Sequence, residues 1–180
     1  MSGRRRIVTG HDQQGRSIVA SDELHDARTS PGLPSVELNY LWGSNETQSY
    51  PDAGKEPDWT SHFPPPGGFR FVTYTIPAAD FVAPEGHDSA QSHAHALATF
   101  PGLLDTYEDD DPGMHTSDTT DVALVLTGEV VLGLADGSTT TLKAGDSIVQ
   151  NGTAHSWTNH TNEPVEMLFV LLGAHRKTTG

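Results

Sequence analysis

Apolar residues recur at every second position through much of the chain, the spacing of β-strands that turn one face to a core. VELNYLW (36–42) alternates Val36, Leu38, Tyr40 and Trp42, and FRFVTYTIP (69–77) is aromatic and β-branched until Pro77 stops it. From residue 121 such runs crowd together as DVALVLTG, EVVLGLADG, STTTLKAG, DSIVQNG, AHSWTNH and VEMLFVLLG, parted by Gly-containing turns such as Asp136-Gly137. Many short strands with many turns predict an all-β jelly-roll barrel or sandwich. Near the start, RRIVTG and RSIVAS around Gly15 predict a hairpin, which needs something larger to pack on.

The pattern breaks in three places. Residues 21–35 are polar with Pro31, Gly32 and Pro34, and read as a surface linker. Residues 43–68 hold Pro51, Pro57, Pro64, Pro65 and Pro66 and no sustained period, as expected of a lid or wrapping segment. HDSAQSHAHALA (87–98) is the one helix expected, capped by Asp88 or Ser89 and ended by Phe100-Pro101-Gly102. These breaks divide the chain into an N-terminal extension (1–67) packed on a barrel (68–175) and a short tail (176–180). The acidic run Asp109 to Asp111 reads as a solvated turn, since the spaced ligands and central glycine of a calcium loop are missing.

Composition narrows the function. A chain of 180 residues suits one domain with a real core. Its net charge of -14 argues against a grip on nucleic acid or an anionic membrane, since phosphates call for concentrated Lys and Arg. There is no cysteine, which removes disulfides, thiolate zinc sites and cysteine nucleophiles. The N-terminus lacks the apolar run of a secretory signal, and no stretch approaches the ~20 apolar residues of a membrane span, so a cytoplasmic protein is expected.

Candidate chemistry concentrates in residues 113–160. His115, Ser117, Thr119 and Asp121 share a face if their stretch is straight, and His155, Trp157 and Asn159 share one by the same rule. Two imidazoles and a carboxylate converging from separate strands would form a metal triad with open coordination positions. Asp121 leads into a run apolar on both faces, where a buried carboxylate needs a metal, a histidinium or backbone N–H groups. His93 and His95 sit two apart in a helical segment and so face apart; His11, His25, His62 and His87 read as loop residues without a special role. Trp157, Met114, Phe71 and Tyr74, with Met167 and Phe169, would make an apolar pocket for a small organic molecule, with Asn159 beside it.

These two segments resemble the paired motifs of the cupin superfamily. Asp121, six residues and Gly128 match the acidic part of the first motif, and Gly145, Gly152, His155 and Asn159 match the second. The chain departs from the family at Ser117, which stands where a second His is usual, at Asp121 for Glu and at Gln150 for Pro. The resemblance implies a double-stranded β-helix, a divalent transition metal (Fe, Mn, Ni or Zn) on His115, Asp121 and His155, and a homodimer joined through the extension. The expected function is a metal-dependent enzyme acting on a small organic substrate, by oxidation or by decarboxylase, lyase or isomerase chemistry. A small-molecule-binding module, with or without metal, is the alternative that the Ser117 departure favours.

Overall fold

The computed structural model describes residues 3–108, 111 and 113–177. Two antiparallel sheets face each other across the core. The larger runs in the order β3 (Arg28–Ser30), β4 (Leu33–Ser44), β5 (Phe69–Ile76), β11 (Val165–Gly173), β6 (Thr119–Thr127) and β9 (Ser147–Gln150). The smaller is β10 (His155–Thr158), β7 (Glu129–Leu134) and β8 (Thr139–Lys143). Inward positions supply the core: Val36, Leu38 and Tyr40 from β4, Val72 and Ile76 from β5, Ala123 and Val125 from β6, and Val165, Met167, Phe169 and Leu171 from β11. This is the jelly roll expected from the strand pattern, with its strands folded into a double-stranded β-helix.

The predicted hairpin forms as β1 (Arg4–His11) and β2 (Ser17–His25), a separate two-stranded sheet. It is tied down by ion pairs from Arg4 to Glu166 and Arg6 to Glu56, and by a bond from the His11 amide to the Asp52 carbonyl. The expected linker at 21–35 is instead occupied by the end of β2, by β3 and by the start of β4. Its polar residues satisfy backbone hydrogen bonds in exposed strands, so pairing survives without an apolar alternation to announce it. A boundary after residue 67 falls between β4 and β5, which pair from Glu37↔Thr75 to Ser44↔Phe69 with one register shift between Tyr40 and Trp42. The extension therefore shares the barrel's sheet and its core.

Helix α1 (Ala90–Thr99) starts at Ser89, whose hydroxyl accepts the Ser92 amide, and stops at buried Phe100. Of the acidic run, Asp109 and Asp110 lie outside the described residues, as do residues 178–180 of the tail.

Residues 45–66 form a strap that joins β4 to β5 and is held by Arg70, which is fully buried. Its guanidinium donates to the carbonyls of Ser61 (3.0 Å), Ser44 (2.8 Å) and Phe69 (2.9 Å) and to Asn45 Oδ1 (2.7 Å), and stacks 4.4 Å from the Trp59 ring. No carboxylate faces it; burial lowers its pKa to about 10, which still leaves it charged at neutral pH. Gly173 gives the strap its seat, because a Cβ there would overlap the Pro65 carbonyl.

The outer face of the larger sheet is unusual. Val122 (42% exposed), Val149 (59%) and Leu172 (41%) stand there with Leu124, and Val122 pairs with both Val149 and Val170. An antiparallel sheet with one solvated face ordinarily shows polar residues on it.

Candidate functional site

The site lies between the sheets, under the strap. His115 precedes β6 and His155 opens β10, and their backbones pair reciprocally: the His115 amide donates to the His155 carbonyl (2.9 Å) and the His155 amide to that of His115 (3.0 Å). This exchange fixes the two residues side by side, with ring centroids 4.2 Å apart. Each ring donates Nδ1–H to a carbonyl two residues earlier, His115 to Gly113 (3.0 Å) and His155 to Thr153 (2.9 Å). Neutral imidazole carries one N–H, so the Nε2 atom of each is left as a lone pair. Burial keeps both rings neutral, lowering the His115 pKa and taking that of His155 to about 4.

The turn into β10 depends on Gly152, at φ +59° and with its α-carbon packed so that a Cβ would lie 2.9 Å from the Ser117 carbonyl. Arg176 clamps the same place, donating to the carbonyls of Gly152 and Ser117 and pairing with Asp118. The loop before β6 and the turn before β10 are thus one unit.

Asp121 points inward from β6, buried, and its Oδ1 has no hydrogen-bond partner among the described residues. Burial raises its pKa to about 6, against a smaller downward pull from the Thr119 hydroxyl. Thr119 in turn shares a 2.7 Å hydrogen bond with Ser117, so the serine in the place of a second histidine is spent on support.

The three expected ligands line one cavity of about 160 Å³, together with Leu38, His62, Phe63, Val72, Tyr74, Leu103, Tyr107, Trp157, Phe169 and Leu171. A cavity of roughly 150 Å³ holds a molecule the size of a benzene ring. Trp157 meets His155 edge-on at 5.7 Å, and Tyr107 lies 5.2 Å from His115. By kind the donors suit a divalent transition ion: two imidazole lone pairs and an unpartnered carboxylate oxygen. By placement they are not drawn together, since among the described residues no group of three His, Cys, Asp or Glu side chains is arranged to hold one metal ion.

Tyr74, Trp157 and Phe169 line the cavity as expected, but Phe71, Asn159, Met114 and the core residue Met167 do not. Phe71 is three positions from Tyr74 on β5, so strand parity puts it on the opposite face, in a groove beside the hairpin with Trp42 and Tyr50. Asn159 lies past the end of β10 and builds a turn, donating to the Pro77 (2.9 Å) and Glu163 (2.7 Å) carbonyls and accepting the Thr161 amide. Met114 is buried beside His115 but packs away from the cavity. His93 and His95 stay apart from the site on α1, His95 bonding Ser30 and Thr99.

His62 is the correction that matters most. Expected in a loop without a role, it is buried, and it enters the cavity from the strap with Nδ1 2.7 Å from the Tyr40 hydroxyl. Burial drives its pKa to about 3. The one signal for it in the sequence is WTSHF (59–63), an aromatic cluster in an otherwise proline-rich stretch. Tyr107 was missed as well, since a lone tyrosine beside an acidic run carries no period.

Residues 107–171 match the family model described as a cupin domain. Among the relatives it resembles are the cupin-domain-containing oxidoreductase fogC of Aspergillus ruber, 26% identical over 93% of this chain and 71% of the relative, and the oryzines biosynthesis cluster protein J of Aspergillus oryzae, 33% identical over 58% of this chain and 64% of the relative. Among solved structures, the DMSP lyase DddQ from Ruegeria pomeroyi aligns over 86% of this chain and 59% of its own, at 11% identity and a TM-score of 0.47. Among the described residues, no helix is long and apolar enough to cross a membrane.

Proposed function

We propose that this chain is a cupin enzyme that transforms a small, uncharged, ring-sized organic molecule by proton transfer within the cavity. The observation that carries this reading is that two neutral imidazoles, each with its Nδ1 occupied, and the unpartnered Asp121 carboxyl line one mainly apolar cavity. A carboxyl titrating near 6 is poised to act as a general base near neutral pH, suited to moving a proton beside a carbonyl group. Isomerase and lyase reactions are the classes that use such a step. The oxidoreductase name of the Aspergillus ruber relative supports enzymatic function in general.

A second reading keeps Fe, Mn, Ni or Zn on His115, Asp121 and His155; the unpartnered Asp121 oxygen favours it. Such an ion would polarise a substrate oxygen or take part in oxidation. The third is a binding module without catalysis, favoured by Ser117 in the place of a ligand.

One experiment separates them. Purified protein is assayed for transition metals and screened by NMR in D2O against ring-sized enolisable carbonyl compounds. Metal-poor protein that binds such compounds and speeds their deuterium exchange, with Asp121→Asn abolishing exchange but not binding, is the expected result. Binding without exchange points to the module. Near-stoichiometric metal, lost in folded His155→Ala and Asp121→Ala variants, points to the metal enzyme.

The apolar outer face of β6, β9 and β11 supports a second copy of the chain as partner, and the absence of cysteine fits cytoplasmic residence.

A further inference from the structure

His62 lies outside the span that defines the cupin match, yet its ring is one of three imidazoles around the cavity. Its environment differs from that of the other two in a way that fixes its proton. Tyr40, buried on β4, has a hydroxyl whose one hydrogen-bond partner among the described residues is His62 Nδ1. A buried phenol O–H has to donate, so His62 Nδ1 accepts. The proton of the neutral ring then resides on Nε2.

That Nε2–H has no acceptor among the described residues, and it is not one of the polar atoms sealed in without a partner. It therefore opens on the cavity that the ring lines. The ring cannot turn freely, because Phe63 packs edge-on at 4.6 Å and Tyr40 at 5.7 Å. Around one small space the fold thus sets a ring donor, His62, opposite in kind to two ring acceptors, His115 and His155. No Lys or Arg lines that space, so an anionic ligand finds no counter-charge there.

We propose that His62 is the hydrogen-bond donor that orients the substrate, its Nε2–H receiving a carbonyl oxygen while a hydroxyl of the same molecule donates to Nε2 of His115 or His155. The substrate class that fits is a neutral hydroxy-carbonyl compound of about one ring. Tyr40 is a positioning residue, acting only by holding the His62 tautomer. The inference rests on the reading of the cavity as a small-molecule site, but its first test does not.

That test is the imidazole 15N spectrum of the uniformly labelled protein. His62 is expected with its proton on Nε2, and His115 and His155 with theirs on Nδ1. In Tyr40→Phe the His62 signals are expected to move toward tautomer averaging while the other two rings keep theirs, a change that loss of packing alone would not confine to one ring. A proton on His62 Nδ1, or a His62 pattern unchanged in Tyr40→Phe, overturns the proposal.

The second test uses 4-hydroxybenzaldehyde as probe and toluene as its apolar counterpart. The aldehyde is expected to bind on the order of tenfold more tightly, to shift the His62 Nε2–H resonance, and to lose most of that advantage in Tyr40→Phe and His62→Gln. Probe binding that shifts only His115 and His155 overturns the donor role. No binding of either compound, with the tautomers as stated, overturns the cavity reading and the donor role with it.

Discussion

Asp121 carries a carboxyl that the fold would rather keep protonated. Its pKa rises from 3.8 to about 6, so between these values the folded state holds a proton that the unfolded chain has released, and stability falls as pH rises. His62 and His155 act the other way. Their folded values of about 3 and about 4 lie below 6.5, so the unfolded chain takes up protons first as pH drops, and stability falls with acidification from 6.5 toward 4. Two imidazoles outweigh one carboxyl. Denaturant midpoints are therefore expected to rise between pH 4 and 6.5 and then level off. Asp121→Asn removes the opposing contribution, so its rise is expected to be steeper, with a gain above pH 6 on the order of 2 kcal/mol. A shallower rise in that variant would contradict the burial of this carboxyl. At this scale the sharing of one cavity by His115, Asp121 and His155 was legible, because the spacing of the two motifs survives in the sequence. Phe71 and Asn159 were not: strand parity decides the first and the place where β10 stops decides the second.

Among the elements, the strap is the one that turns a barrel into a closed site. Arg70→Met leaves the carbonyls of Ser44 and Ser61 and the Asn45 side chain without their donor, at a cost of about 3 kcal/mol or more. Amide exchange across residues 45–66 is expected to accelerate while β6 and β11 stay protected. Gly173→Ala drives a methyl group into the Pro65 carbonyl, and overpacking of this kind costs about 1–3 kcal/mol. Its signature is the same local exchange. A wrapping segment was expected here from its prolines, but its anchor was not legible, since a segment held by an arginine reaching main-chain oxygens needs no repeating pattern of its own. Strand β4 was legible for the converse reason: the alternation of Val36, Leu38 and Tyr40 is its packing. The helix was found within a few residues because its alanines and the Ser89 cap act locally.

The whole molecule shows an apolar pattern doing two jobs. DVALVLTG and VEMLFVLLG are apolar at odd and even positions alike, which in a sheet means both faces avoid water. One face is the core; the other holds Val122, Leu124, Val149 and Leu172, exposed in the single chain. Sedimentation is expected to give twice the 19.3 kDa chain mass, and Val122→Lys with Leu172→Asp to halve it without loss of fold. A monomer in the unaltered protein at micromolar concentration would count against the second copy. The strap has a different consequence. Arg70 grips its two ends, through Asn45 at one and through Trp59 and the Ser61 carbonyl at the other. The same grip seats His62 and Phe63 in the wall of the chamber, so a single cation set far from any reacting atom governs the shape a guest would meet.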